Sequence, residues 1–101
     1  MHVLITYKLR PGVSLERFRR WSREVDQVVL VRQPGVRRYQ VLEVTARPKG
    51  EAPFDIAENI DVESREAWEQ VNGYPEMVPV VEEWLELCDP DSVSVVYGSA
   101  I

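Results

Sequence analysis

One acidic residue interrupts an otherwise apolar alternation in the middle of the chain. Between residues 54 and 62, every second side chain belongs to the series Phe54, Ile56, Glu58, Ile60, Val62. Alternate residues of a β-strand lie on one face of a sheet, so Glu58 is expected among apolar neighbours. Burial there would raise the pKa of its carboxyl and suit it to general acid or base catalysis. The alternatives are an ion pair with an arginine such as Arg38, or a position at the wet mouth of a cavity.

Three further side chains are candidates for the same site. Asp26 falls one residue off the apolar stripe of a predicted helix. There it would pair with a cation or orient a ligand at the cavity mouth, or it would simply be solvated. Tyr7 and Tyr39 occupy positions of equal phase in the first two predicted strands. Each offers an aromatic face and a phenol that can donate to a carbonyl group, although tyrosines in such positions often only pack.

The three tryptophans, Trp21, Trp68 and Trp84, are a large number for 101 residues. Tryptophan at helical spacing usually belongs to a core or an interface, but Trp21 and Trp68 are also candidates for stacking on an aromatic ligand. His2 is the only side chain whose ordinary titration lies near neutral pH, which makes it a further candidate proton carrier. Cys88 is expected to be a small buried apolar side chain.

Residue spacing argues against several classes of site. One histidine and one cysteine, without His-x-x-x-His or Cys-x-x-Cys spacing, predict no metal site. The five glycines are scattered and form neither a phosphate loop nor a dinucleotide fingerprint, so we expect no cofactor. Chemistry in such a site would depend on proton transfer and on confinement of the substrate.

Charge and hydropathy narrow the possible partners. The net charge is −5, so we expect no nucleic-acid partner. The one basic cluster indicates a solvated helix face and consists of Arg17, Arg19, Arg20 and Arg23. There is no run of about 18 apolar residues, and we therefore expect no membrane span. The single cysteine allows no intrachain disulfide, and the N-terminal residues are typical of a strand rather than a signal peptide. These features predict a cytoplasmic protein.

The positions of the candidate residues depend on the elements that carry them. Turn residues such as Arg10-Pro11-Gly12 and Gln33-Pro34-Gly35 separate the apolar patterns. Residues 46–53 read as a polar loop. In chain order, the patterns first predict a strand at 2–9, a helix at about 14–31, and strands at 36–45 and 54–62. A helix from Ser64 through Val71 follows, and then a second helical piece whose core-facing residues are Val78, Val81, Leu85 and Cys88. Val93, Val95 and Tyr97 mark the last strand.

This order, β-α-β-β-α-β, predicts one α+β domain over residues 1–101 with the ferredoxin-like plan and a four-stranded antiparallel sheet. The strands are apolar on both sides, as Ile5 beside Leu4 and Val41 beside Leu42 show. Two helices can cover only one face of such a sheet. We therefore expect a second copy to cover the other face, as a homodimer that closes a β-barrel around a shared, mostly apolar cavity.

Three segments resemble the RedY/HapK group of the dimeric α+β barrel superfamily. They are Trp21-Ser22-Arg23-Glu24-Val25-Asp26, Pro34-Gly35-Val36-Arg37-Arg38-Tyr39 and the stretch from Ile60 to Trp68. The resemblance covers nearly the whole chain. More distantly, the chain is similar to EthD-like proteins, antibiotic-biosynthesis monooxygenases and polyketide cyclases of the olivetolic acid cyclase type. Val71 and Met77 stand where the Tyr and His of that cyclase are expected, which argues against its mechanism here.

The resemblance implies a small cytoplasmic homodimer that acts on an aromatic intermediate of natural-product biosynthesis. We expect a cofactor-independent enzyme that promotes cyclisation, dehydration or condensation of a pyrrole- or indole-type compound. In that reading Glu58 moves a proton, Tyr7 and Tyr39 orient carbonyl or N–H groups, and Trp21 stacks on the substrate. Two alternatives remain open: a non-catalytic protein that shields a reactive intermediate, and a cofactor-free monooxygenase.

Overall fold

Four antiparallel strands form a single sheet in the computed structural model, which describes residues 1–101. The order across the sheet is β2-β3-β1-β4, so the first and third strands are central. The strands are β1 (His2–Tyr7), β2 (Val36–Glu43), β3 (Ile56–Val62) and β4 (Ser94–Gly98). The predicted ferredoxin-like α+β fold is therefore confirmed. The first three strands are shorter than predicted: the first two end two residues earlier, and the third begins two residues later.

The helices lie in two groups between the strands. The first group is α1 (Leu15–Trp21), a π-helical turn (Ser22–Asp26) and α2 (Gln27–Leu30), and the second is α3 (Arg65–Val71) and α4 (Met77–Leu87). Ser14 and Ser64 cap α1 and α3, because each hydroxyl accepts a hydrogen bond from the backbone N–H three residues later. Pro79 lies in the first turn of α4, where the missing N–H costs nothing. No helix here combines the length and apolar character needed to span a bilayer.

The core lies between the helices and one face of the sheet, here called the inner face. Along β3, buried and half-buried residues alternate, and the buried set includes Glu58. The core side chains that meet there come from all four helices and the two central strands: Val3, Ile5, Tyr7, Phe18, Leu30, Ile56, Ile60, Val62, Val71, Met77, Val80 and Leu87. The opposite, outer face carries exposed apolar side chains at Leu4, Leu42 and Val96.

The π-helical turn changes which residues of the first helical segment face the core. Four residues spaced by four are buried, namely Phe18, Ser22, Asp26 and Leu30. A regular α-helix has 3.6 residues per turn, so such a series would drift around its surface. The wider turn absorbs part of this drift, and the Gln27 N–H correspondingly bonds the Ser22 carbonyl five residues back. The apolar spacing of the sequence predicted one core-facing stripe, made of Leu15, Phe18, Ser22, Val25 and Val29. Phe18 and Ser22 are indeed buried, but Val25 and Val29 are only half-buried, because the buried side shifts by one residue, to Asp26 and Leu30.

The predicted core-facing stripe of α4 was correct for two of its four residues and wrong for the other two. Val78 and Leu85, which were expected to face the core, are exposed, whereas Met77, Val80 and Leu87 are buried. Val81 and Cys88, also in the predicted stripe, do pack in the core. The core-facing side of α4 is thus rotated toward the residues that precede the predicted ones. This rotation brings Trp84 against the inner face of the sheet.

We predict that Gly35→Ala destabilises the fold more than Gly12→Ala. Both glycines have positive φ, +84° and +86°, which costs other residues about 1–2 kcal/mol. A Cβ at Gly35 would also lie 2.8 Å from the Cβ of Ala67 on α3, and such overpacking costs about 1–3 kcal/mol more. A Cβ at Gly12 meets nothing within 4 Å. Urea unfolding of both variants measures the difference, and equal losses would show that this contact relaxes freely.

Candidate active site

A cavity of about 380 Å³ opens between the inner face of the sheet and the helices. Thirteen residues line it, and ten of them are hydrophobic. Trp68 on α3, Trp84 on α4 and Tyr97 on β4 supply aromatic walls, while Asp26 and Glu58 are its two carboxyl groups. The volume lies in the range of pockets that hold small organic ligands. This cavity, here called the cleft, belongs to one chain.

Glu58 lies at the centre of the sheet. Its register partners are Ile5 on β1 and Val41 on β2, so its carboxyl has apolar strand neighbours on both sides. Only 7% of the residue is exposed. The hydroxyl of Tyr7 donates a short hydrogen bond to Glu58 Oε2. The strand period that predicted a buried acid therefore placed this residue correctly.

Asp26 approaches the same site from the helical side. Its Oδ2 accepts a hydrogen bond from the Tyr39 hydroxyl at 2.7 Å and another from the Ser22 hydroxyl at 3.2 Å. The side-chain amide of Gln27 donates in turn to the Ser22 hydroxyl at 3.1 Å. The π-helical turn thus both points Asp26 inward and supplies Ser22, one of the groups that hold it.

The surroundings raise the pKa of both carboxyls. Burial is the larger cause for Glu58, the negative charge of Asp26 adds to it, and the hydroxyls of Tyr7 and Tyr39 oppose it; its pKa rises to about 8. Burial likewise raises the pKa of Asp26 to about 6, against the hydrogen bonds from Tyr39 and Ser22. Near neutral pH the pair therefore carries about one negative charge and one proton. An acid and a base whose pKa values are pushed apart can donate and accept protons in one reaction.

Both tyrosines of the cluster remain neutral donors. Burial, followed by the nearby carboxyl charges, raises the pKa of Tyr7 and of Tyr39 well above the ordinary phenol value. Tyr7 is fully buried, and its ring packs edge-on against Trp84, with 5.2 Å between the ring centroids. The Tyr7 phenol donates to Glu58 and the Tyr39 phenol donates to Asp26, and neither tyrosine lines the cleft. Their role in orienting a ligand stays a prediction.

The structure assembles most, but not all, of the residues that the sequence suggested. Glu58, Asp26, Tyr7 and Tyr39 form one cluster, and Trp68 lines the cleft.

Trp21 and His2 lie elsewhere, contrary to expectation. The Trp21 ring packs on Phe18, and its N–H donates to Glu83, so Trp21 ties α1 to α4 and does not line the cleft. His2 is on the outer face of the sheet, where its Nδ1 lies 2.9 Å from Asn59 Oδ1. It cannot exchange protons directly with the inner-face cluster.

The location of the cluster corrects a second expectation. Glu58 and the two tyrosines were expected to face a chamber shared between two copies, but the chain's own helices cover their face of the sheet. Arg38, the suggested ion-pair partner of Glu58, pairs in register with Asp61 and lies in an outer-face group with His2. Neither Glu58 nor Asp26 takes part in an ion pair.

Sequence reasoning missed several residues of the site. Trp84 walls the cleft, and its Nε1–H is buried without a hydrogen-bond partner. Asn72 and Tyr97 also line the cleft, and Ser22 holds Asp26. The Val80–Trp84 spacing of four residues could have indicated the correct face of α4. The role of Ser22 depends on the π-helical turn, for which the sequence has no clear signature.

The comparisons with known proteins agree with this architecture. A family model described as REDY-like protein HapK matches residues 1–101. The chain belongs to the HapK family. Among solved structures, HapK from Hahella chejuensis is similar to this chain, with 18% sequence identity and a TM-score of 0.78. The superposition covers 100% of this chain and 95% of the HapK chain.

Two other structures extend the likeness of the fold. An EthD family protein from Bacillus halodurans shares 17% identity over 100% of this chain and 99% of its own, with a TM-score of 0.77. SnoaB from Streptomyces nogalater, described as a cofactor-independent oxygenase, shares 13% identity over 98% of this chain and 92% of its own, with a TM-score of 0.70. Related ferredoxin-like structures are described as dimeric. No curated protein sequence matches the chain.

We predict that the stability of the protein falls as the pH rises from about 6 to about 8. In this window folded Glu58 keeps a proton that the unfolded chain has released, so the free energy of unfolding declines by up to about 1.4 kcal/mol per pH unit. Asp26, whose pKa is about 6, is half ionised at the start of this window and adds to the decline only up to about pH 7. Urea unfolding should therefore show a decline between pH 7 and 8 in the wild type but not in Glu58→Gln. Glu82→Gln, which removes an exposed acid of α4, should keep it. If the free energy of unfolding changed with pH in the same way in the wild type and in Glu58→Gln, the raised pKa would not belong to Glu58.

Proposed function

We propose that this chain is a cofactor-independent tailoring enzyme that promotes condensation, cyclisation or dehydration of an aromatic pyrrole- or indole-type intermediate. The observation that carries the proposal is the pair of buried carboxyls, Glu58 and Asp26, in the lining of an apolar, aromatic-walled cleft. Membership of the HapK family supports a role in natural-product chemistry. The reaction itself is inferred from the cleft.

The pair suits reactions in which one proton is given and another is taken. Protonated Glu58 would donate to a carbonyl or hydroxyl oxygen and make it a better electrophile or leaving group. The Asp26 carboxylate would accept a proton from a ring carbon or an N–H group. Tyr7 and Tyr39 would keep the two carboxyls in place. Trp68 and Trp84, rather than the expected Trp21, would stack on the substrate.

The apolar walls favour the same chemistry. Proton transfer and charge stabilisation are stronger where bulk water is excluded. A cleft with ten hydrophobic lining residues would desolvate a planar substrate and leave the carboxyls as its main polar contacts. Confinement would also hold two reacting rings, or two ends of one chain, at bonding distance.

The function is tested with a redox-neutral reaction whose product is coloured. Pyrrole-2-carbaldehyde and 2,4-dimethylpyrrole combine to a dipyrromethene: one C–C bond forms, and the aldehyde oxygen leaves as water with one ring-carbon hydrogen and one N–H hydrogen. The purified protein should accelerate this reaction, and Glu58→Gln should lose at least about 100-fold of the acceleration. Asp26→Asn should also slow it, whereas Glu82→Gln should not. Visible absorbance follows the product.

Other outcomes identify the alternative functions. Binding of either pyrrole without acceleration by the wild type would overturn the catalytic proposal and leave a protein that shields its ligand. Oxygen consumption with the same compounds, measured with an electrode, would indicate a cofactor-free monooxygenase instead. Unchanged acceleration by Glu58→Gln would remove this carboxyl from the mechanism.

We also propose that the protein is a homodimer joined through the outer face of the sheet. Leu4, Leu42 and Val96 are 40%, 48% and 53% exposed there, and Leu4 pairs directly with Val96 across β1 and β4. No helix of the chain covers this face. The dimeric descriptions of similar folds support a second copy as its cover. The partner would complete the barrel but would not be needed to form the cleft.

We predict that a charge on the outer face separates the copies. The 11.7 kDa chain should sediment at about twice its mass as wild type, whereas Leu42→Asp should sediment as one chain, because an unpaired carboxylate is costly to bury. Val28→Asp serves as the control, since Val28 is similarly exposed but lies on α2. A wild type that sediments as a single chain at micromolar concentration would refute the dimer.

A further inference from the structure

The cleft is unusual in carrying acidic charge without any basic group. Besides its two carboxyls, its polar lining residues are Asn72 and the Tyr97 phenol, and no lysine, arginine or histidine is among the thirteen. Asp26 and Glu58 are absent from every ion pair of the chain. All hydrogen bonds that hold them come from neutral hydroxyls. A buried negative charge therefore has no cation within the protein.

We propose that the cleft selects planar aromatic ligands that are cations, or become cations by taking up a proton, and rejects aromatic carboxylates and phenolates. This inference deepens the proposed function and rests on it only in taking the cleft as the ligand site. The missing positive charge would come from the ligand. Burying an unpaired carboxylate is costly, and a cationic partner relieves that cost, whereas a second anion increases it.

The walls of the cleft indicate that the cation is aromatic. Trp68, Trp84 and Tyr97 line the cleft, and the faces of such rings attract flat, delocalised cations through their quadrupoles. Small hydrated cations gain little from a lining that is mostly aliphatic and aromatic, and no group of His, Cys, Asp and Glu is arranged to hold a metal ion. A volume of about 380 Å³ suits a ligand of two or three rings.

One arginine near the cleft does not supply the missing charge. The guanidinium of Arg65 lies 5.0 Å from the centroid of the Tyr97 ring. It is exposed and is already paired with Glu69 at 2.9 Å, one α-helical turn along α3. Arg65 is not among the lining residues. Its contact shows instead that the Tyr97 ring accepts a cation.

The proposed selectivity for cations also explains why no lysine, arginine or histidine neutralises the two carboxyls of the cleft. Protonation of a pyrrole- or indole-type carbonyl compound, or loss of water from its adduct, produces a delocalised cation. A carboxylate close to that cation would stabilise it more than the neutral starting compound, which lowers the barrier. A built-in arginine would cancel this effect.

Three ligands of nearly equal shape test the inference by isothermal titration calorimetry: N-methylquinolinium, 1-methylnaphthalene and 1-naphthoate. The cation should bind at least about tenfold more tightly than the neutral compound, and the anion at least about tenfold more weakly. The double variant Asp26→Asn, Glu58→Gln should bind the cation and the neutral compound equally. Glu82→Gln should behave as wild type, which controls for the net charge of −5.

These binding measurements test the selectivity of the cleft whether or not the protein is a catalyst. If 1-naphthoate binds as tightly as N-methylquinolinium, or if the double variant keeps the preference for the cation, the inference is overturned. Retained affinity of the double variant for 1-methylnaphthalene shows that its cleft is still folded. If the preference holds while the dipyrromethene reaction is not accelerated, the cleft binds cations but the catalytic proposal fails.

Discussion

The buried carboxyls of Glu58 and Asp26 impose the main physical constraint on this structure. Taking one carboxylate out of water is costly, and placing a second beside it raises the cost further. The chain meets this cost with neutral hydroxyls from Tyr7, Tyr39 and Ser22. Burial also raises the pKa of Glu58 to about 8, so that its carboxyl stays largely protonated near neutral pH. A more stable core would replace both acids by apolar side chains. Their presence in a core of 13 buried apolar residues therefore points to a use that requires them.

The two faces of the sheet have different proposed roles, ligand binding on the inner face and association on the outer face. The inner face is covered by helices and contains the cleft, so the proposed chemistry belongs to one chain. The outer face keeps Leu4, Leu42 and Val96 exposed and is the proposed surface for a second copy. This separation means that association can stabilise the sheet without adding a residue to the cluster. It also explains why polar outer-face residues such as His2 stay apart from the inner acids.

The sequence predicted the strand-borne part of the site better than the helix-borne part. A strand has a period of two, so the alternation around Glu58 placed its carboxyl on the buried face without further information. Helical phase is less certain, and a single wide turn moved Asp26 and Leu30 into positions expected for Val25 and Val29. The same uncertainty hid Trp84. Apolar residues on both faces of the strands did indicate that each face of the sheet is covered. They could not show which face the helices cover and which is left for a second copy.

The wide turn at Ser22–Asp26 has a consequence for how this family can diversify. A π-helical turn amounts to one residue inserted into an α-helix, so loss of a single codon there would restore regular winding. The residues after the deletion would keep nearly their present orientation, because the rotation of about 100° carried by one residue is close to the rotation that the slower winding of the wide turn gives up. Leu30 would still face the core, and the sheet, α3 and α4 would remain as they are. The chain can therefore gain or lose one residue at this turn without turning α2 away from the core.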